Sequence, residues 1–309
     1  MHRLSEMDVC DLEGKVAVVT GLDGQLGWRI ARELSDRNAK VILAYRDADK
    51  VPFAADKDLM KNVTRNIHLI SLDVAKRSSI TRFAEMLYAE VPWIDFLVNG
   101  VDVVPKSLNR TEGGFEESFW INHLGIFMLT GRLLGNIKVG GRVICISGHA
   151  HRHSKGIDFL DPNWEMRSYD PWRAYCDSKL ANLLFILELA RRLNRQGVAV
   201  SAVSVPADCI STYPRYLIWS MKNSRLGSYF RRIARALFER MAGLDALLQL
   251  DTVISSRVRS VDYIVRGGHF DILEHPSRVN CVPTALDLRS ARQLWSLSEQ
   301  LTGVRFLSK

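Results

Sequence analysis

Two residues that could exchange a proton lie four positions apart in the segment Tyr175-Cys176-Asp177-Ser178-Lys179. That spacing places Tyr175 and Lys179 on one face of a helix. A nearby ammonium favours the phenolate form of a tyrosine, so such a pair can act as a general acid/base. The spacing alone is common by chance, and its meaning depends on the elements that surround it.

A glycine-rich turn lies near the N-terminus, between a predicted strand at Val16–Thr20 and a helical pattern over Leu26–Leu34. Its glycines are Gly21, Gly24 and Gly27. Free backbone N–H groups and the helix dipole at such a turn attract the pyrophosphate of a dinucleotide. A tight turn without a ligand is the alternative reading of these glycines.

Short apolar segments alternate with helical patterns along the chain. The further predicted strands are Val41–Ala44, Ile67–Leu72, Phe96–Val98, Arg142–Ser147, Val198–Val205 and one near Tyr263–Ile272. Helices are predicted over Phe119–Leu134, over Trp172–Leu193, and where Ile80, Phe83, Ala84 and Leu87 recur. This alternation predicts a single-domain α/β fold, a doubly wound Rossmann-type sheet of about seven parallel strands with helices on both faces.

The composition is that of a globular protein, with 309 residues of which 47% are hydrophobic and 25% charged. Neither a signal peptide nor a transmembrane helix is predicted. The cysteines are odd in number and widely spaced, which favours a reducing compartment. No metal site is expected, and the alternating His149, His151 and His153 are interpreted as polar loop residues.

The net charge of +8 is mostly scattered, and no nucleic-acid-binding motif accompanies it. Residues 1–12 are interpreted as a leader, and residues 13–309 as the single domain. Residues 206–262, rich in Arg, Trp and Tyr, are interpreted as an insertion that forms a substrate lid. Within it, residues 213–241 are predicted to be a helical flap, with a solvated helix face or a membrane-touching surface as open alternatives.

Several short motifs occur in a fixed order along the chain: TGLDGQLG (Thr20–Gly27), LDV (Leu72–Val74), LVNG (Leu97–Gly100), the Asn122 segment, ISG (Ile146–Gly148), YCDSK (Tyr175–Lys179) and VPADCIST (Val205–Thr212). Together they resemble the short-chain dehydrogenase/reductase family. The segments at Thr111–Thr130, Ser147–His151 and Ala174–Phe185 resemble its retinol-dehydrogenase branch. The tail Leu294–Gly303 is similar to that of WW-domain-containing oxidoreductases.

The resemblance implies a catalytic role for three of these residues. Tyr175 would be the proton donor and acceptor, and Lys179 would hold the nicotinamide ribose and stabilise the phenolate. Asn122 would anchor a water molecule that links Lys179 to solvent.

The resemblance also implies a set of cofactor-binding residues: Gly21, Gly24, Gly27, Arg46, Asp73, Asn99, Tyr175 and Lys179. Asp73 would contact the adenine. Arg46 lies just after the second strand, where a guanidinium can pair with the 2′-phosphate of the adenosine, which favours NADP(H) over NAD(H). A surface charge offset by Asp47 is the alternative reading of Arg46.

Three departures from the family pattern fall at the cofactor and the active site. Gln25 stands where the pattern has its middle glycine, and a side chain there can obstruct the pyrophosphate. Asp102 replaces the glycine of Asn-Asn-Ala-Gly and brings a negative charge close to an anionic cofactor. Gly148 stands at the position of the catalytic serine. Ser147 precedes it, but successive residues of a strand face opposite ways, so Ser147 could substitute only through a twist or bulge.

Two functional readings follow. The first is an NADP(H)-dependent oxidoreductase of a lipophilic alcohol or ketone, retinoid- or steroid-like. The second is a catalytically degenerate relative that serves as a binding or regulatory module. Family resemblance implies a homodimer built from the two long helices, and we expect a cytoplasmic location, with peripheral contact to an intracellular membrane as an open alternative.

Overall fold

A computed structural model of the chain describes residues 11–21, 25–46, 66–206, 254, 264–266, 276–278 and 283–308. Within these residues six strands form one sheet: β1 (Val16–Thr20), β2 (Lys40–Tyr45), β3 (Ile67–Ser71), β4 (Ile94–Asn99), β5 (Ile137–Ser147) and β6 (Ser201–Pro206). Their order is β3-β2-β1-β4-β5-β6, and every neighbouring pair is parallel. The predicted fold class, a doubly wound Rossmann-type α/β sheet in a single domain, is confirmed.

The helices of the described residues are α1 (Gln25–Ser35), α2 (Arg77–Glu90), α3 (Glu117–Phe119), α4 (Gly125–Leu133), α5 (Pro171–Arg195) and α6 (Leu288–Thr302). A π-helical turn at Trp120–Leu124 joins α3 to α4. The predicted apolar residues of α2 are all buried, as are most residues of α5. Asp170 caps α5 by accepting hydrogen bonds from the backbone N–H groups of Trp172 and Arg173, and Pro171 fits the first helical turn.

Apolar residues on both faces of β1 explain why this strand lies in the middle of the sheet. Val16 and Val18 belong to the core layer on one face, whereas Ala17 and Val19 belong to the layer on the other. A strand buried on both faces needs helices on both sides, which the parallel crossovers supply. The change of direction in strand order lies between β1 and β4, so the crevice at their carboxyl ends is where an open α/β sheet binds ligands.

The seventh strand of the predicted sheet is absent from it within the described residues. Residues of that region form β7 (Ile264–Arg266), which pairs with β8 (Pro276–Arg278) in an antiparallel ladder. The described sheet thus has six parallel strands where about seven were predicted, because the backbone groups of β7 pair with those of β8.

Parts of the predicted domain organisation lie outside the described residues. They include residues 1–10 of the leader, Gly24 of the turn, and the insertion at residues 206–262 apart from 206 and 254, with its flap at 213–241. Leu12, assigned to the leader, is buried in the same core layer as Ala17, and the boundary at residue 12 stays a prediction. Of the helices described, none has the length and apolar character that crossing a membrane requires.

Helix α6 packs across α4 and α5 through an aromatic cluster. Trp295 lies 5.1 Å from Phe127, 5.9 Å from Phe185 and 4.7 Å from Phe306, measured between ring centroids. Helix α5 has no exposed residue between positions 174 and 190. The homodimer built from the two long helices stays a prediction.

Replacing Trp295 by alanine is expected to lower the free energy of unfolding by about 3–5 kcal/mol, because the cavity cannot be filled from three rings held on other elements. Denaturant unfolding followed by circular dichroism measures the change. Trp93→Ala is the control, since Trp93 is 43% exposed and its ring contacts only the ammonium of Lys138 among the interactions described. Equal losses in the two variants would contradict the proposed role of the cluster.

Candidate active site

Tyr175 and Lys179 lie together on the buried face of α5, as their spacing predicts. Taken as whole residues they are 1% and 0% exposed, and the Lys179 ammonium lies 5.4 Å from the centroid of the Tyr175 ring. A buried ammonium needs a compensating charge, because its desolvation is unfavourable by several kcal/mol or more. The site must therefore supply an anion.

The anion is Asp102, in the segment that follows β4. Its Oδ1 lies 2.8 Å from the Lys179 Nζ, and its Oδ2 accepts a hydrogen bond of 3.0 Å from the Tyr175 hydroxyl. The ammonium lies off the direction of a well-formed hydrogen bond, so its contact is an ion pair. Asp102 was predicted to bring a charge near the cofactor, but its direct contact with both members of the acid/base pair was missed.

Asn122 fixes the backbone beside Asp102. Its amide Nδ2 donates to the Val103 carbonyl at 2.9 Å and to the Ser178 hydroxyl at 3.0 Å, while its Oδ1 accepts from the Val103 N–H at 2.8 Å. Asn122 lies in the π-helical turn, whose extra residue changes the direction in which side chains leave the helix. The predicted site residue is thus next to the pair, and its polar atoms bind protein groups on both sides.

The end of β5 brings Ser147 and Gly148 to the same edge of the sheet. Ser147 pairs in regular register with Pro206, and Gly148 continues with an extended backbone (φ −158°, ψ 158°). Neither a twist nor a bulge therefore turns Ser147 towards the face of its neighbour, which the substitution for the missing serine would have required. The Ser147 hydroxyl is fully buried, and no described residue hydrogen-bonds to it.

The loop after Gly148 is attached to α5 through a second carboxylate. Ser154 donates a hydrogen bond of 2.6 Å to Asp177, and Arg173 lies 3.8 Å from its other oxygen. Burial raises the pKa of Asp177 to about 6, against the opposing effect of the Ser154 hydrogen bond. His151 also stays on this loop, with its Nδ1 2.7 Å from the Gly148 carbonyl. Among the described residues no metal-binding cluster occurs, and the histidines form none.

A crevice opens at the carboxyl ends of β1, β2, β3 and β4. Its lining includes predicted cofactor residues and hydrophobic neighbours: Thr20, Gly21, Ala44, Tyr45, Arg46, Leu72, Asp73, Val74, Ala75, Val101, Val103 and Ile121. Arg46 is exposed there, at the end of β2. Asp73 uses one carboxylate oxygen to accept from the Ala75 N–H, which fixes the turn after β3. Asp102 lies between two of the lining residues, Val101 and Val103.

Position 21 requires glycine both for its backbone conformation and for its packing against Gly100. Its φ is +87°, and a Cβ atom there would lie 2.1 Å from the Gly100 carbonyl oxygen. In the same way, a Cβ atom at position 100 would lie 2.7 Å from the Thr20 carbonyl oxygen. Glycine at position 100, where the family pattern has its second asparagine, therefore permits the ends of β1 and β4 to approach closely.

Three predicted cofactor residues remain to be located: Asn99, Gly27 and Gly24. Asn99 is buried at the end of β4, where its Nδ2 donates to Thr130 at 3.1 Å, and no described residue hydrogen-bonds to its Oδ1. Gly27 is buried within α1. Gly24 and the side chain of Gln25 lie outside the described residues, so the predicted obstruction by Gln25 stays a prediction.

Comparison with known proteins shows which family the chain belongs to. The family model described as short chain dehydrogenase matches residues 15–157. Human retinol dehydrogenase 13 is 33% identical over 297 residues, which cover 95% of this chain and 86% of that protein. The chain belongs to the short-chain dehydrogenase/reductase family.

Within this family the chain falls in the retinol dehydrogenase branch, as its motifs indicated. Human retinol dehydrogenase 11 is 36% identical over 300 residues, covering 95% of this chain and 87% of that protein. A crystal structure of an uncharacterized protein from Mycobacterium paratuberculosis is 32% identical, covers 97% of each chain and has a TM-score of 0.77. The family resemblance is thereby confirmed over nearly the whole chain.

The raised pKa of Asp177 predicts a pH-dependent stability. The folded chain binds more protons than the unfolded chain between about pH 4 and pH 6, so stability falls as pH rises through this window, by about 2–3 kcal/mol in total. Asp177→Asn removes the titrating group and is expected to flatten this part of the profile in denaturant unfolding. Asp36→Asn, at an exposed ion pair with Arg32 on α1, is the control with the same change of charge. A wild-type slope in Asp177→Asn would contradict the assignment.

Proposed function

We propose that the chain is an NADP(H)-dependent oxidoreductase that acts on a lipophilic alcohol or ketone. The observation that carries this proposal is the buried Tyr175–Lys179 pair beside the crevice that Arg46 and Asp73 line. The retinol dehydrogenases among its relatives support a retinoid- or steroid-like substrate.

The crevice fits a dinucleotide on the adenosine side. The close approach of Gly21 and Gly100 leaves backbone, without side chains, at the end of β1. Arg46, after β2, would pair with a 2′-phosphate, and Asp73 follows the neighbouring strand β3. Gly21, Gly24, Gly27 and Asn99 are the remaining residues that we assign to cofactor binding. A bound NADP(H) supplies or accepts a hydride.

The chain's own part in the reaction is proton transfer. In the direction of reduction the Tyr175 hydroxyl donates its proton to the substrate oxygen, and in oxidation the phenolate accepts one. Lys179 stabilises the phenolate, because its ammonium lies 5.4 Å from the centroid of the Tyr175 ring. Asn122 acts through Val103 and Ser178 as a positioning residue. Ser147 contributes a buried hydroxyl at the same edge of the sheet.

A catalytically degenerate relative that binds but does not turn over substrate is the second candidate. Two observations favour it: glycine at position 148 removes a hydroxyl, and Asp102 engages both Tyr175 and Lys179. Measuring NADPH binding by its fluorescence, together with reduction of retinal and a steroid ketone, separates the two. Binding with turnover supports the oxidoreductase, whereas binding without turnover supports the degenerate relative.

We also propose that the protein is cytoplasmic and contacts an intracellular membrane peripherally. Such a location accords with a lipophilic substrate. Leu160 and Met166, in the segment before α5, are 88% and 74% exposed. Apolar side chains that protrude in this way can insert into an interface. Homodimerisation through the two long helices belongs to the same set of proposals.

Arg46→Ala is expected to weaken NADPH binding by about tenfold or more, because a charge-assisted bidentate pair with the 2′-phosphate is lost. NADH lacks that phosphate and serves as the internal control. Both dissociation constants are measured by fluorescence titration. An equal loss for the two cofactors would reject Arg46 as the determinant of cofactor choice.

Gly148→Ser is expected to raise the rate of carbonyl reduction, by up to about 10²-fold, since it restores a donor aimed at the developing oxyanion. Ser147→Ala is expected to change the rate little, because the regular β5–β6 register directs Ser147 away from the position of Gly148. Initial rates with NADPH and retinal at saturating cofactor measure both effects. If Ser147→Ala abolishes a robust wild-type activity, Ser147 is the catalytic hydroxyl. The Gln25→Gly, Gly148→Ser double variant should respond most if Gln25 hinders the cofactor.

A further inference from the structure

Asp102 is held in place by its neighbours and is not a freely rotating surface carboxylate. The next residue, Val103, is clamped at both its N–H and its carbonyl by the side chain of Asn122. Asn122 in turn donates to Ser178 on α5, the helix that carries Tyr175 and Lys179. The backbone beside Asp102 is therefore fastened to the same helix that its carboxylate contacts.

The carboxylate covers the acid/base pair from the open side of the site. The side chain of Asp102 is 33% exposed, whereas that of Lys179 is 1% exposed. Each carboxylate oxygen has its own partner, Oδ1 the ammonium and Oδ2 the phenol. Asp102 is thus the more exposed partner in both contacts.

No other ionised group among the described residues shares this role. Cys145 is a titratable side chain that senses the charge of Lys179, and burial raises the pKa of its thiol to about 12. The thiol thus stays neutral. Asn122, Ser178 and the backbone of Val103 contribute neutral dipoles, and the described ion pair of the site is that of Asp102 with Lys179.

We infer that Asp102 is an autoinhibitory counter-ion: at rest its carboxylate retains the Tyr175 proton, neutralises the Lys179 ammonium and occupies the place where a ligand's hydroxyl groups would bind. A carboxylate that accepts from a phenol stabilises the protonated phenol, and an ammonium whose charge is already balanced stabilises the phenolate less. The pair becomes available when a ligand's hydroxyl groups replace the carboxylate on Tyr175 and Lys179. No covalent bond changes in this exchange. The inference rests on the proposed function, since it specifies how the same site is regulated.

The first test needs no cofactor. The ionisation of Tyr175 is obtained from tyrosinate absorbance as the difference between each protein and its Tyr175→Phe counterpart. In Asp102→Asn, which is nearly isosteric, Tyr175 is expected to ionise at a pH lower than in the wild type by roughly one unit or more. An unchanged ionisation overturns the inference. Asp102→Gly, which carries the family's residue at this position, repeats the test should Asp102→Asn fail to fold.

The second test is cofactor binding, measured by NADPH fluorescence. Asp102→Asn is expected to bind NADPH about tenfold more tightly than the wild type, because a negative charge and a competing contact are both removed. Glu85→Gln, on the exposed side of α2, makes the same change in net charge and is expected to leave the dissociation constant unchanged. Tighter binding in Glu85→Gln by the same factor would reduce the effect to net charge and overturn the inference.

The outcomes separate this inference from the proposed function. Equal NADPH binding by wild type and Asp102→Asn overturns the autoinhibitory role and leaves the proposed function intact. Absence of NADPH binding in both proteins contradicts the proposed function, and the inference falls with it. Tighter binding in Asp102→Asn, together with earlier ionisation of Tyr175, supports both.

Discussion

A buried ammonium needs a counter-charge, and Lys179 imposes this requirement on the whole active site. Its side chain lies in the body of α5, which has no exposed residue from 174 to 190, so water cannot supply the compensation. The anion has to come from another element, and Asp102 at the carboxyl end of β4 provides it. Asn122 completes the arrangement, because it ties the backbone after β4 to α5 and so holds the two charges at contact distance. The π-helical turn places Asn122 where it can do this.

The parallel sheet decides which residues can meet in this way. Every strand of the six-stranded sheet ends at the same edge, so residues that follow different strands converge there although they are distant in sequence. Asn99 and Asp102 follow β4, Ser147 ends β5, and Arg46 follows β2. The close approach of Gly21 to Gly100 brings the ends of β1 and β4 together, and this contact would be lost with any side chain at position 21. Packing at the strand ends is thus a precondition for the site as well as for the core.

Much of the fold could be predicted because its signals are local. The apolar segments of β1 and β2 and the helical spacing in α2 each depend on burial of a few neighbouring residues, and the structure confirms them. The four-residue spacing of Tyr175 and Lys179 also survives, since helical geometry alone fixes it. The hydrogen bond from Tyr175 to Asp102 could not be predicted in the same way. It joins residues 73 positions apart, and depends on how α5 packs against the segment after β4. A substitution at a family glycine was the available signal, and it indicated a charge without indicating its partners. The packing of α6 on α5 was missed for the same reason: Trp295 and Phe306 reach Phe127 only through the tertiary fold.

The two departures that survive in the described site act on different parts of the chemistry. Under the proposed function, glycine at position 148 lacks a donor that would stabilise charge on the substrate oxygen, and this effect is confined to the transition state. Under the proposed autoinhibition, Asp102 acts before that stage, because it contacts Tyr175 and Lys179 and would have to be exchanged for the ligand. A loss of the first kind lowers the maximal rate at any cofactor concentration, whereas a contact of the second kind can be overcome by a ligand that binds tightly enough. On these two proposals, the chain combines a permanent loss of catalytic power with a reversible one. Only the reversible one leaves room for regulation, because replacing the carboxylate restores an acid/base pair whose residues are all still present.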